Sequence, residues 1–168
     1  LLLRTMDKAY SINTSQEDRE DLIKELNIIV EMDTTFAEAL AIRSAVNWMI
    51  LYHELNKDWN PHSEYSKNKF SIIISDSKAA LRYDPNNITA KHLIPLMDVI
   101  MLSKFSSYTE SVLTARRALL GLNKFLAEHP DYYMSYFMKG IFHLIRNDYD
   151  YLKEDNDIEN AIKFLKIS

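Results

Sequence analysis

Cysteine is absent from this 168-residue chain, and glycine and proline are scarce, with 2 and 4 copies. Without cysteine there is neither a disulfide framework nor a thiolate metal site, and the composition fits cytoplasm and periplasm equally. The shortage of glycine and proline leaves few tight turns for β-hairpins and favours helices. No apolar run approaches the roughly 20 residues that a membrane-spanning helix needs. We therefore expect a helical chain with no membrane anchor in this segment.

Hydrophobic residues make up 47% of the chain, which is enough to bury a sizeable core. The length fits one domain, so residues 1–168 are predicted to form a single domain. The net charge of −4 argues against a general nucleic-acid surface in this segment. Because the chain begins Leu1-Leu2-Leu3-Arg4 without an initiator methionine, we expect it to be a fragment of a longer protein.

Apolar residues recur at helical spacing along most of the chain. The β-rich run Phe70–Ile74 is assigned to a helix because no second strand lies nearby to pair with it, and Pro95 should kink its helix. The predicted helices cover about 17–31, 35–55, 63–83, 87–103, 107–128, 131–146 and 156–168, with a weaker candidate over 1–12. Their start signals are Ser15 with Asp18, Ser63 or Ser66, caps at Asn87 and Asp131, and capping boxes at Thr35–Glu38, Ser107–Glu110 and Asn156–Glu159.

Three helix-breaking junctions align on Thr34, Pro85 and Pro130. They are 51 residues (34 to 85) and 45 residues (85 to 130) apart. Eight residues before each junction lie Leu26, Ser77 and Leu122, five before lie Ile29, Ala80 and Phe125, and ten after lie Ser44, Pro95 and Gly140. This shared register predicts equivalent corners in a row of paired helices.

The aligned residues resemble degenerate tetratricopeptide (TPR) repeats over roughly residues 18–168. In that family, the position ten residues past the corner holds a small residue where two helices touch closely. The resemblance implies an all-α fold, a right-handed α-α superhelix of about three irregular TPR-like helix pairs. The spacing departs from the roughly 34 residues of a standard repeat, because the helices are longer and a polar loop at 56–63 adds length.

The segment from Leu22 to Ala39 is similar to the helical part of bacterial winged-helix transcription activators, of the cadaverine-operon activator and invasion-gene regulator type. That resemblance implies a non-catalytic, C-terminal interaction domain for signalling and transcription regulation, which binds a partner protein or self-associates. The implied location is cytoplasmic, with the periplasmic sensor domain of a membrane-anchored regulator as the alternative. The second functional hypothesis is a TPR scaffold or ligand-recruiting module unrelated to transcription.

In TPR proteins, the first helix of each pair lines a concave groove. The resemblance carries this groove over to apolar positions on three predicted helices: Ala41, Trp48, Met49, His92, Leu96, Phe137, Ile141 and Leu144. The set lacks the Lys, Arg and Asn side chains that clamp a C-terminal carboxylate in chaperone-binding TPR proteins. Two readings stay open, a groove for a helix or extended segment and a face that packs within the domain or against a second subunit.

Residues that bear chemistry form no recognisable catalytic or metal-binding pattern. The five histidines lack metal-ligand spacing, although His92 and His143 could face the groove and sense pH if they are buried near a carboxylate. The acidic run 148–159 has Leu152 and Lys153 where a calcium loop needs an oxygen ligand and glycine. With no phosphate loop or catalytic arrangement either, we predict no enzyme activity, no metal and no cofactor.

Two further surface features each have two readings. Arg116, Arg117 and Lys124 form a basic strip, which is either a solvated outer face or a contact for an acidic partner. Trp59, with Pro61 and Tyr65, either folds back onto the helices or anchors an interface.

Overall fold

The computed structural model describes residues 15–55, 63–102 and 108–168, and in these ranges it contains helices and no strand. The helices are α1 (Gln16–Met32), α2 (Ala37–Leu55), α3 (Glu64–Tyr83), α4 (Ile88–Leu102), α5 (Tyr108–Glu128), α6 (Tyr133–Asn147) and α7 (Asp157–Ile167). The predicted all-α class is confirmed, and Phe70–Ile74 lies inside α3. The predictions for residues 1–12, Ser107, Trp59 and Pro61 fall outside the described residues.

Three predicted helix starts are confirmed at their capping side chains. Ser15 and Asp18 form a reciprocal capping box at α1. Ser63 caps α3 by accepting a hydrogen bond from the Ser66 amide, and Asn87 caps α4 by accepting one from the amide of Ala90. Each cap satisfies a backbone N–H that the first helical turn leaves without a partner.

Three other predicted starts are wrong in detail. Thr35 donates its amide and its hydroxyl to Asp33 Oδ1 and forms an Asx turn, and α2 begins two residues later at Ala37, so Thr35 does not directly precede the helix as its predicted cap. Helix α6 follows Tyr132, which makes no side-chain capping bond, and Asp131 is not its cap. Asn156 precedes α7 and makes no side-chain capping bond. The carboxylate of the next residue, Asp157, instead accepts a hydrogen bond from the Glu154 amide in the preceding turn.

The three predicted corners share one backbone hydrogen-bond pattern. At Asp33, Asp84 and His129, the amide donates to the carbonyl four residues earlier, at Ile29, Ala80 and Phe125. The carbonyls of Asp33, Asp84 and His129 themselves then accept from the amides three residues later, at Phe36, Asn87 and Tyr132. Each corner is therefore the same four-residue turn between two helices, placed as the alignment on Thr34, Pro85 and Pro130 predicts.

The positions in register with these corners are all buried. The residues ten past each corner also contact the next helix. Ser44 Oγ lies 2.7 Å from Ser77 Oγ on α3. A methyl group built on Gly121 of α5 would lie 2.7 Å from Pro95 Cβ, and one on Gly140 would lie 2.7 Å from Leu165 Cγ on α7. The helix pairs α2/α3, α4/α5 and α6/α7 thus each have a close approach at the equivalent position.

The chain divides into two units, Leu1–Leu93 and Ile94–Ser168, with the boundary inside α4. In the first unit, α2 packs against both α1 and α3. Two apolar clusters fill this unit: one holds Leu22, Leu26, Ile42, Val46 and Ile50, and the other holds Ile29, Val30, Ala39, Leu40, Ala41, Ala80 and Ala90. Alanine dominates the second cluster, which lets the backbones of neighbouring helices come close.

In the second unit, α6 packs against both α5 and α7. Its buried residues include Met138, Gly140 and Phe142, while α5 buries Leu122 and Phe125. Helix α4 continues through Pro95 to Leu102, and the predicted kink there stays a prediction. None of the described helices combines the length and the apolar character that crossing a lipid bilayer requires.

Replacing Gly121 by alanine tests the close approach of α4 and α5. The added methyl group would collide with the rigid ring of Pro95, so we expect the free energy of unfolding to fall by about 1–3 kcal/mol. Asn123→Ala, at an exposed position of the same helix, should be neutral or slightly stabilising, because alanine favours helix and meets no neighbour there. Urea unfolding of both variants provides the measurement, and equal stability of the two would contradict the packing.

Candidate functional site

The groove residues predicted on α2 divide into a buried and an outward part. Ala41 is fully buried in the alanine-rich cluster. Trp48 is half-buried, and Met49 and Tyr52 are exposed. The rings of Trp48 and Tyr52 lie 5.5 Å apart in a tilted contact. The C-terminal half of α2 therefore presents an aromatic and apolar patch to solvent.

The two groove residues predicted on α4 are both buried. His92 is 5% exposed and Leu96 is 1% exposed. Neither side chain is presented to solvent in this structure, so neither is available to a partner without a rearrangement. Burial also lowers the pKa of His92 to about 4. The imidazole is consequently neutral at pH 7, as expected for a histidine deprived of water.

The residues predicted on α6 do form one stripe. Phe137 and Ile141 are half-buried and Leu144 is exposed, and Met134 extends the same face with 54% exposure. The spacing of three, four and three residues places all four side chains on one side of the helix. The buried residues of α6, such as Met138 and Phe142, lie on other sides. Helix α6 is thus apolar toward its neighbours and also along an outward stripe.

A buried ion-pair cluster that the sequence did not reveal connects α6 to α7. Asp157 is fully buried, and its Oδ1 lies 2.7 Å from His143 Nδ1. Arg146 Nε donates to both carboxylate oxygens of Asp157, and its Nη2 adds a further short contact. Arg146 Nη1 reaches Glu154 Oε1 at 2.7 Å, and the Glu154 amide donates to Asp157 Oδ2. The cluster holds the 148–156 connection against the end of α6.

The charges of this cluster compensate each other. Burial alone would raise the pKa of Asp157, but hydrogen bonds from Arg146 and His143 outweigh it and lower that pKa. Burial lowers the pKa of His143, and the bond to Asp157 opposes this only in part. The imidazole of His143 thus lies between a carboxylate and a guanidinium, and all three side chains are almost completely shielded from water.

A second polar seam joins the helices of the first unit. Arg43 forms a two-pronged ion pair with Asp76 of α3, with distances of 2.7 and 2.8 Å, and also donates to Asn27 of α1. Lys69 donates to Asn47 Oδ1 one turn farther along the same pair of helices. These partners lie far apart in sequence, so no local pattern could have indicated them.

The predicted basic strip and Tyr65 both lie at the surface of the protein. Arg117 of the basic strip pairs with Asp98 at 3.0 Å, while Arg116 and Lys124 are exposed. Tyr65 is exposed beneath Lys69, whose Nζ lies 5.6 Å from the ring centroid. In the part of the chain that the structure describes, no group of three or more His, Asp and Glu side chains could hold a metal ion.

Titrating the protein tests the burial of His92. Its pKa is lower in the folded state than in the unfolded chain, so the unfolded chain binds more protons below pH 6.5, and folding stability should fall as the pH drops from 6.5 toward 4. The lowering of the pKa to about 4 corresponds to about 3 kcal/mol. We expect His92→Gln to lose about that much less stability than the parent between pH 7 and pH 4. If the unfolding free energies of the parent and of His92→Gln changed equally with pH, the burial of the neutral His92 would be contradicted.

Replacing Asp157 by asparagine tests the buried cluster. The amide cannot compensate the Arg146 charge, so the substitution should cost about 3–5 kcal/mol of unfolding free energy at pH 7. The matched control is Asp155→Asn, an exposed position in the same connection, which should change stability little. Thermal and urea unfolding compare the two variants, and a mild effect at position 157 would show that Asp157 does not carry the cluster.

In comparisons with known proteins, the chain matches no protein-family model, no curated protein and no solved structure.

Proposed function

We propose that this chain is a non-catalytic protein-interaction domain built from about three irregular TPR-like helix pairs in a right-handed superhelix. The observation that carries the proposal is the repeated corner, in which three four-residue turns have the same hydrogen bonds. Each corner is followed, ten residues on, by a side chain or glycine in close contact with the next helix. A helix pair of this kind cannot bury its apolar face alone, so neighbouring pairs complete the core.

The docking surface is assigned to two outward apolar patches on the first helices of their pairs. One patch is formed by Trp48, Met49 and Tyr52 on α2. The other is formed by Met134, Phe137, Ile141 and Leu144 on α6. Aromatic and methionine side chains are the residue types enriched at protein interfaces. They suit an amphipathic helix or an extended apolar segment of a partner, or the same patches of a second copy.

The regulatory role rests on the resemblance of residues 22–39 to the helical part of bacterial winged-helix activators. In this segment Leu22, Leu26, Ile29 and Ala39 are core residues. The resemblance therefore supports a shared helical build more directly than a shared partner. On this proposal the chain is the C-terminal interaction domain of a bacterial transcription regulator in the cytoplasm, or the periplasmic sensor domain of a membrane-anchored regulator. The alternative is a TPR scaffold, and DNA binding by the native protein would favour the regulator over the scaffold.

Two exposed apolar residues test the docking patches. Met49→Asp and Leu144→Asp place a charge in each patch without entering the core, so both variants should fold normally. Each should retain about a tenth or less of the captured partner, since burying an unpaired carboxylate at an interface costs more than 1.4 kcal/mol. The measurement is affinity capture with the 168-residue chain as bait, quantified by mass spectrometry, with sedimentation to detect self-association.

The matched control for these variants is Met32→Asp. Met32 is 80% exposed at the end of α1, outside both patches, so the same substitution there should leave capture unchanged. Circular dichroism and melting of all three variants separate lost binding from lost folding. If the Met49 and Leu144 variants fold and capture as much partner as the control, the patches are not the docking surface.

A further inference from the structure

Two lysines of the second unit share one aromatic ring. Lys139 Nζ on α6 lies 4.3 Å from the centroid of the Phe164 ring on α7, and Lys163 Nζ lies 5.7 Å from the same centroid. The ring itself is fixed by stacking on His143, with centroids 5.6 Å apart, and on Tyr136, at 6.4 Å. The Phe164 ring thus lies within cation–π distance of two ammonium groups.

The positive charge of this pair is not compensated by the described part of the chain. Neither ammonium group is ion-paired there with a carboxylate. Asp157, the buried acid of α7, is engaged by Arg146 and His143. Glu159 lies one turn before Lys163 on α7 and is exposed without an ion pair to it. Burial and then the charge of Lys163 lower the pKa of Lys139, which means that a nearby anion would relieve an unfavourable arrangement.

We propose that Lys139 and Lys163 bind a side-chain carboxylate from an acidic, partly apolar peptide segment of the partner protein. Two ammonium groups near one ring supply the charge, and Ile162, half exposed on the same helix as Lys163, supplies an apolar contact for another residue of the peptide. Lysine ammonium groups also bind phosphate, and the experiment below distinguishes phosphate from a peptide carboxylate. This inference rests on the proposed function as an interaction domain and names the chemistry of the partner.

The experiment follows the lysine side chains by NMR in the complete 168-residue chain labelled at lysine Cε. The probes are inorganic phosphate, acetate and a blocked peptide of alternating glutamate and leucine. We expect the peptide to shift the Cε signals of Lys139 and Lys163 and to raise the pKa of Lys139, with tighter binding than either small anion. Lys163→Gln should weaken peptide binding by about two- to fivefold, the range for one partly exposed charge pair.

The matched control is Lys166→Gln, since Lys166 is exposed on the same helix but is not near the Phe164 ring. That variant should bind the peptide as the parent does. The inference is overturned if the Lys166 signal moves as much as those of Lys139 and Lys163, if Lys163→Gln binds normally, or if phosphate binds more tightly than the peptide. This NMR experiment needs no native partner. Its failure would therefore not bear on the apolar patches, which the capture experiment tests separately.

Discussion

Close approach between two helices at a small or rigid residue is the constraint on which this structure depends. Ser44, Pro95 and Gly140 occupy it ten residues past the three corners. A bulkier side chain at the contact would separate the helices, and Ser77, for example, would lose its buried hydrogen bond with Ser44. Fixing this contact also fixes the rotation of each helix, and so decides which apolar side chains remain outside.

Buried charges then secure the alignment that the close contacts permit. Arg43 joins α2 to Asp76 of α3, and Asp157 joins α7 to His143 and Arg146 of α6. A helix that slid along its neighbour would leave these groups buried and unpaired, which costs far more than a shifted apolar contact. With the inward faces held in this way, Met49 and Leu144 remain exposed on the outer faces of their helices.

Sequence reasoning predicted what depends on local chemistry. Helical spacing gave the helix bounds to within a few residues, and Ser15, Ser63 and Asn87 cap where predicted. It failed where side chains had a choice of partner: Thr35 bonds to Asp33, and Asp157 takes the local amide near Asn156. Among the groove residues, periodicity could not tell that Ala41, His92 and Leu96 would be buried while Leu144 remained exposed, because inward and outward faces of these helices are both apolar. The equivalence of the corners, in contrast, was readable because breakers and apolar residues recur in one register.

The most direct test of these equivalent helix pairs is proton NMR distance measurement across each predicted contact. The account predicts nuclear Overhauser effects between the Ser44 and Ser77 side chains, between the Gly121 α-protons and the Pro95 ring, and between the Gly140 α-protons and the Leu165 methyl groups. All three should be strong in the same sample. Finding one of the three residues beside a different helix, or in solvent, would contradict the equivalence and remove the basis for a repeat.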